Sequence, residues 1–309
     1  MNGYFLRLSD GQAWQLMAPP GRREASDFLK KFASIMELKP SGPYDIEKIL
    51  FCGQDDFLSI KDGCTKKYLG SGSGEGDNGW FVYDHKNLRV WNHAQIPEVI
   101  CEICDNGRDD VEILNMWFAL QPIFQKAQNR GGLPMHAALL ELAGKGILIS
   151  APGNTGKSTC CRRVPGYWKA LCDDETLIVH SKKEGYRAHP FPTWSDYLWR
   201  NSQKRWPVES SVLLSAIFFL EQAEATEILA IGKGEAAALI NQSTNQVCEK
   251  FWRPSDKATK TMQVKRLLDN ACEMAKKVPA YKLRASLNGR FWEEIERVLR
   301  VAQGIEQLG

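Results

Sequence analysis

ILISAPGNTGKSTCCRRV, residues 147–164, carries an apolar run into a glycine-containing loop, a Lys-Ser pair and the start of a helix. Ala151 to Ser158 (APGNTGKS) fits the phosphate-binding loop in the variant where alanine replaces the first glycine. Glycines at 153 and 156 let the backbone curl until successive N–H groups face inward around phosphates, and the helix beginning near Lys157 adds its positive end. Lys157 then reaches the β- and γ-phosphates and Ser158 binds Mg²⁺, with Gly153, Asn154, Thr155, Gly156 and Thr159 completing the nucleotide-binding set. GKGILIS before the loop reads as a buried strand and STCCRRV after it as a helix, which is the context the motif needs. The loop points to ATP, or GTP, and does not choose the reaction.

Two neighbouring features bear on that choice. Sixteen residues after Lys157 stands Asp173, followed by Asp174, at the end of the apolar approach in LCDDETLIV (171–179). Adjacent residues at a strand end face opposite ways, so one acid can face Mg²⁺ and the other an acceptor, unless DDE is simply a solvated turn. His136 precedes Lys157 by 21 residues, in LPMHAALLEL. A lone histidine beside an apolar strand is ordinarily a hydrogen-bonded structural residue.

From residue 131 onward, apolar strands alternate with helices: MHAALLEL, GILISA, the loop and its helix, ALCDDETLIV, a break, SSVLLSAIFFLE, AAALINQST, AYKLRAS, and a closing amphipathic helix in GRFWEEIERVLRVAQ. The first hundred residues read differently. YFLRL and AWQLM are expected strands, ASDFLKKFASIMEL is an amphipathic helix, and a polar stretch follows. The glycine-dense YLGSGSGEGDNGW (68–80) lacks a Lys-Ser pair and reads as a hairpin or surface loop. WFVYDHKNLRVWNH alternates as strand, turn and strand, with Lys86 and Asn87 at the turn. Residues 109–129 carry helical spacing interrupted by Pro122. The expected fold class is α/β: a P-loop core with a central sheet flanked by helices (126–309) and a smaller amino-terminal α+β domain (1–125), with a soft boundary over 105–130.

The bulk properties bound the partners. In 309 residues with 43% hydrophobic and 25% charged residues, a net charge of +3 gives no reason to expect a nucleic acid. MNGYFLRLSDGQAW lacks a basic segment followed by an uninterrupted apolar core, and no run approaches the roughly 18 apolar residues of a membrane span, so a cytoplasmic protein without a membrane partner is expected. The nine cysteines are odd in number, which favours reduced thiols. Only Cys101 and Cys104, in CEIC, have ligand spacing, and no second pair follows at zinc-site distance. IPEVICEICD (96–105) reads as a helix carrying both thiols on one face as small hydrophobes.

His136, a strand, the loop ending in Gly156-Lys157-Ser158, and a strand ending in Asp173-Asp174 together resemble the kinase core of HPr kinase/phosphorylase, over roughly residues 131–180. The resemblance is closest to the stand-alone HPr-kinase-like proteins of peptide natural-product clusters, including SynChlorMet cassette protein C and the lasso-peptide serine kinases. It implies a kinase that moves the γ-phosphate of ATP to a Ser or Thr hydroxyl of a peptide, with Asp173 as general base on the hydroxyl, Asp174 assisting Mg²⁺, and His136 beside the reacting phosphate. It also allows an oligomer, the hexamer being the form of HPr kinase/phosphorylase. The family's Arg-Gly-rich stretch after the core has no counterpart, so neither the reverse reaction nor HPr as substrate is expected.

At the corresponding distance stands AHPFPTWSDYLWRNSQKRW (188–206). Its prolines, aromatic rings and basic residues make His189, Trp194 and Arg200 candidate contacts for an extended peptide substrate, or else the tryptophans anchor a loop on the core. KFWRPSDKATKTMQVKR (250–266) is a second basic stretch, readable as a solvated helix start or as a loop reaching the phosphates. Two other functions fit the same residues: a nucleotide-dependent module that binds a peptide or partner without phosphotransfer, and a simple NTPase.

Overall fold

The computed structural model of the chain describes residues 3–42, 46–70, 79–200, 202–252 and 255–301. It is a mixed α/β protein of two compact units, one comprising residues 1–126, 192–210 and 249–260, the other residues 127–191, 211–248 and 261–309.

In the first unit, β1 (Gly3–Arg7) and β2 (Ala13–Met17) pair as an antiparallel hairpin. The helix α1 (Arg23–Ile35) follows, then β3 (Lys39–Ser41), β4 (Lys48–Gly53) and α2 (Gln54–Leu69). The sheet is completed by β5 (Trp80–Asp84), β6 (Leu88–His93) and β7 (Val99–Ile103), in the order β3-β1-β2-β4-β7-β6-β5. Its centre is parallel, β2 with β4 and β4 with β7. Apolar spacing on α1 buries Phe28 and Phe32 against Phe51 of β4, with ring centroids 5.5 and 5.9 Å apart. The polar stretch before the glycine-rich segment therefore hides a central strand and a helix. Of that glycine-rich segment, residues 71–78 lie outside the described residues.

IPEVICEICD is not a helix: it contains β7, paired in parallel with β4. Its β-branched residues favour the extended form, and Glu102 is buried as the acceptor of Trp91 Nε1 at 2.8 Å. Cys101 is wholly buried and Cys104 lies just past the strand end; burial raises both thiol pKa values. After β7 come α3 (Asp109–Phe118) and α4 (Gln121–Asn129), broken between them where Pro122 enters the first turn of α4.

The second unit begins with β8 (Leu133–Leu142) and β9 (Lys145–Ser150), an antiparallel pair. Next come α5 (Lys157–Arg163), β10 (Lys169–Cys172), β11 (Glu175–Ser181) and β12 (Gly185–Phe191). The chain then passes through α6 (Trp194–Arg200), a member of the first unit, before β13 (Val212–Gln222) and β14 (Glu227–Ala230). It closes with α7 (Lys233–Trp252), α8 (Lys257–Lys277), β15 (Ala280–Ala285) and α9 (Phe291–Val301). The basic stretch 250–266 is thus helical over its described residues apart from the short break between α7 and α8.

The sheet runs β10-β8-β11-β12-β13-β15-β14, while β9 pairs with both β8 and β13, so β8, β11, β12, β13 and β9 form a closed ring of pairings. β13 is parallel to β9 on one side and to β15 on the other. Ile147, Ile149, Phe218, Leu283 and Phe291 fill the adjoining core. Among the described residues no helix is long and apolar enough to cross a membrane.

Candidate active site

The phosphate-loop sequence sits where its context requires, between the end of β9 and the start of α5. Asn154 and Gly156 both have positive φ, 62° and 120°. The second value is one that side chains rarely adopt, which is why glycine stands there. Gly153 has ordinary backbone geometry, and a Cβ added there would meet nothing within 4 Å. A Cβ there would enter open space, so nothing in the packing around the loop requires glycine at 153. The base of the loop is pinned by Ser150 Oγ, which donates to Ser243 Oγ at 2.8 Å and lies 3.3 Å from the carbonyl of His136. Its crown is held by Gln222, whose amide donates to the Thr155 carbonyl at 3.2 Å.

Asp173 and Asp174 occupy the connection between β10 and β11. β11 pairs with β8 in the register Glu175↔His136, and Thr176 Oγ1 donates to the Ala137 carbonyl at 2.9 Å. That register sets the acid pair beside the histidine. Lys157 Nζ lies 2.7 Å from His136 Nε2, and His136 Nδ1 lies 3.1 Å from Asp174 Oδ1. The lysine also donates to the carbonyls of Ala151 and Pro152, at 2.9 and 3.4 Å. An ammonium can only donate, so Nε2 is the acceptor and the ring proton belongs on Nδ1, facing the carboxylate. Residues from β8, the loop and the β10–β11 connection thus form one line, Asp174–His136–Lys157.

Lys157 is only 6% exposed. Burial lowers its pKa below the ordinary 10.5, against the pull of Asp174 and then Asp173, whose charges favour the ammonium. Between the folded pKa and 10.5 the unfolded chain keeps a proton here that the folded chain has released, so stability rises with pH across that window. Lys157→Met is expected to abolish that rise. Chemical denaturation at stepped pH from neutrality to 10.5 reads it, and equal slopes for both proteins would show that the buried ammonium keeps its usual pKa.

The residues present fit a nucleotide and Mg²⁺. Gly153 borders open space, and Ser158 and Asp174 are oxygen donors of the kind that would give Mg²⁺ the one or two protein oxygens it takes alongside phosphate and water. Among the described residues no group of three or more His, Cys, Asp or Glu side chains forms a metal cage of its own.

The proposed peptide wall fares differently. His189 lies in β12, 0% exposed and paired with Leu177 of β11. Trp194 is 1% exposed, its ring 6.3 Å from that of Phe32 and 6.3 Å from Tyr197. Both are core residues, so neither offers a face to a peptide. Arg200 is exposed and paired with Asp196 at 3.2 Å, and the outward-facing tryptophan of α6 is Trp199, 81% exposed. The anchoring alternative describes Trp194 and Trp206. Sequence reasoning missed Ser150, Ser243 and Gln222; a serine ending an apolar strand and two polar residues in helical or strand runs carry no spacing signal.

A family model described as SynChlorMet cassette protein ScmC matches residues 99–300. No curated protein matches the chain.

Proposed function

The chain belongs to the SynChlorMet cassette protein ScmC family, and from that premise we propose that it is an ATP-dependent, HPr-kinase-like phosphotransferase acting on a Ser or Thr hydroxyl of a ribosomally made precursor peptide. The observation that carries the reading is the Asp174–His136–Lys157 line, 3.1 and 2.7 Å, assembled by separate elements at a phosphate-binding loop. Nothing in packing alone requires a buried lysine, a histidine and an acid to meet there.

Phosphoryl transfer asks mainly for positioning and charge neutralisation. The Gly153–Ser158 backbone and Lys157 hold the phosphates. Ser158 and Asp174 would hold Mg²⁺, which would supply neutralisation of phosphate charge. Asp173 takes the acceptor's proton as the hydroxyl oxygen bonds to the γ-phosphorus, the β–γ bridging bond breaks, and ADP leaves. His136 keeps Lys157 and Asp174 in register across the site.

The test incubates the chain with ATP, Mg²⁺ and a precursor peptide encoded beside its gene, or a Ser/Thr-containing peptide library, following peptide mass and ADP together. A peptide heavier by one phosphoryl group, with ADP formation dependent on peptide, is expected. ADP formed equally fast without peptide would make the protein an NTPase. Nucleotide-dependent peptide capture with no mass gain would make it a binding module.

A further inference from the structure

On the side of the loop away from His136 lies a cleft of about 360 Å³, lined among others by Asn154, Thr159, Leu220, Gln222, Leu287 and Phe291. We infer that this cleft holds the purine base of the nucleotide; the inference rests on the nucleotide-binding reading of the loop and extends it to base recognition.

Topology supplies the direction. β9 has β8 on one flank and β13 on the other, and His136 belongs to β8. The acids and the histidine therefore stand on the β8 flank. On the opposite flank β9, β13 and β15 run parallel, with Ser150 level with Phe219 and Gln222 level with Ala285. The cleft opens beyond the carboxyl ends of these three strands, where ligands of parallel α/β sheets bind. A nucleotide laid along the loop with its terminal phosphate at Lys157 and the acids has its base on this flank, past Thr159 in the first turn of α5.

The cleft is built rather than incidental. The turn after β15 is fixed by the Ser286 amide donating to Thr226 Oγ1 at 3.2 Å, the Ala223 amide to the Ala285 carbonyl at 3.1 Å, and Arg163 to the Gly289 carbonyl at 2.6 Å. A Cβ at Gly289 would lie 2.0 Å from Thr226 Oγ1, so glycine is required for that closure. Leu287 after this turn is 76% exposed, Phe291 is buried, and both line the cleft. A mostly apolar cleft of this size with a few polar groups, here Asn154, Gln222 and Ser286, suits a flat heteroaromatic ring.

Calorimetric titration of ATP and of inorganic tripolyphosphate, each with Mg²⁺, separates base from phosphate. Wild-type chain should bind ATP at least about tenfold tighter than tripolyphosphate. Ala223→Trp, which fills the cleft, should weaken ATP by about tenfold or more and leave tripolyphosphate within about twofold. Leu287→Ala, at an exposed rim position that folding does not depend on, should weaken ATP by about threefold and spare tripolyphosphate, and it decides the matter if the bulky variant misfolds. Equal affinities for the two ligands, or ATP binding untouched by these variants, overturns the base assignment and leaves the phosphate loop standing. Failure of wild-type chain to bind either ligand overturns the nucleotide reading itself.

Discussion

Asp173→Asn is expected to lower phosphoryl transfer by about 10²- to 10⁴-fold while ATP affinity stays within about twofold. The amide has the carboxylate's shape but cannot accept the hydroxyl proton. Asp173 is half-buried in the β10–β11 connection, and its charge reaches Lys157, where it ranks behind that of Asp174 in favouring the ammonium. Removing that charge weakens one secondary influence on the lysine and leaves its bonds to His136, Ala151 and Pro152 in place. Binding and chemistry should therefore separate. Single-turnover measurement at saturating ATP isolates the chemical step. If affinity and rate fall together, Asp173 is holding the site together; if the rate is unchanged, the proton goes elsewhere.

The loop was legible in the sequence because its requirement is local. A positive φ at residue 156 needs glycine, and the lysine, serine and helix start follow within the next residues. The histidine and acid pair could be named by resemblance, but their union depends on a strand register, Glu175↔His136, that spacing does not encode. Periodicity failed where polar residues find partners inside the sheet. β12 read as a break because GYRAHPF contains Arg187, which bonds Ser211 at 2.8 Å and Glu184 at 2.9 Å while its strand neighbours are buried. β7 read as a helix on a different ground, the three-residue spacing of Cys101 and Cys104 that would put both thiols on one helix face, while its pairing with β4 is a tertiary matter. Trp194 illustrates a different limit: a ring in a proline-flanked, basic stretch looks the same whether it lines a groove or packs on Phe32, and only tertiary contacts decide.

Asp174→Asn should have an effect as large or larger, by another route. In the wild-type chain the carboxylate accepts from His136 Nδ1, which leaves Nε2 to accept from Lys157. An asparagine can turn its NH₂ toward Nδ1, and the ring proton then moves to Nε2, where it confronts the lysine's own N–H groups. Two donors cannot share that 2.7 Å contact, so Lys157 is displaced from its line. A wrong tautomer imposed by a similar exchange costs about 10⁴-fold in a serine-protease triad, which sets the scale expected here. Nitrogen-15 NMR of the histidines reads the tautomer directly: the His136 proton should shift from Nδ1 to Nε2 in Asp174→Asn and stay on Nδ1 in Asp173→Asn. Retention on Nδ1 in both variants, with transfer only slightly slowed, would reduce His136 to a structural residue. A shift confined to Asp174→Asn, together with lost transfer that raised Mg²⁺ does not restore, would assign the effect to the histidine line and not to weakened metal binding alone.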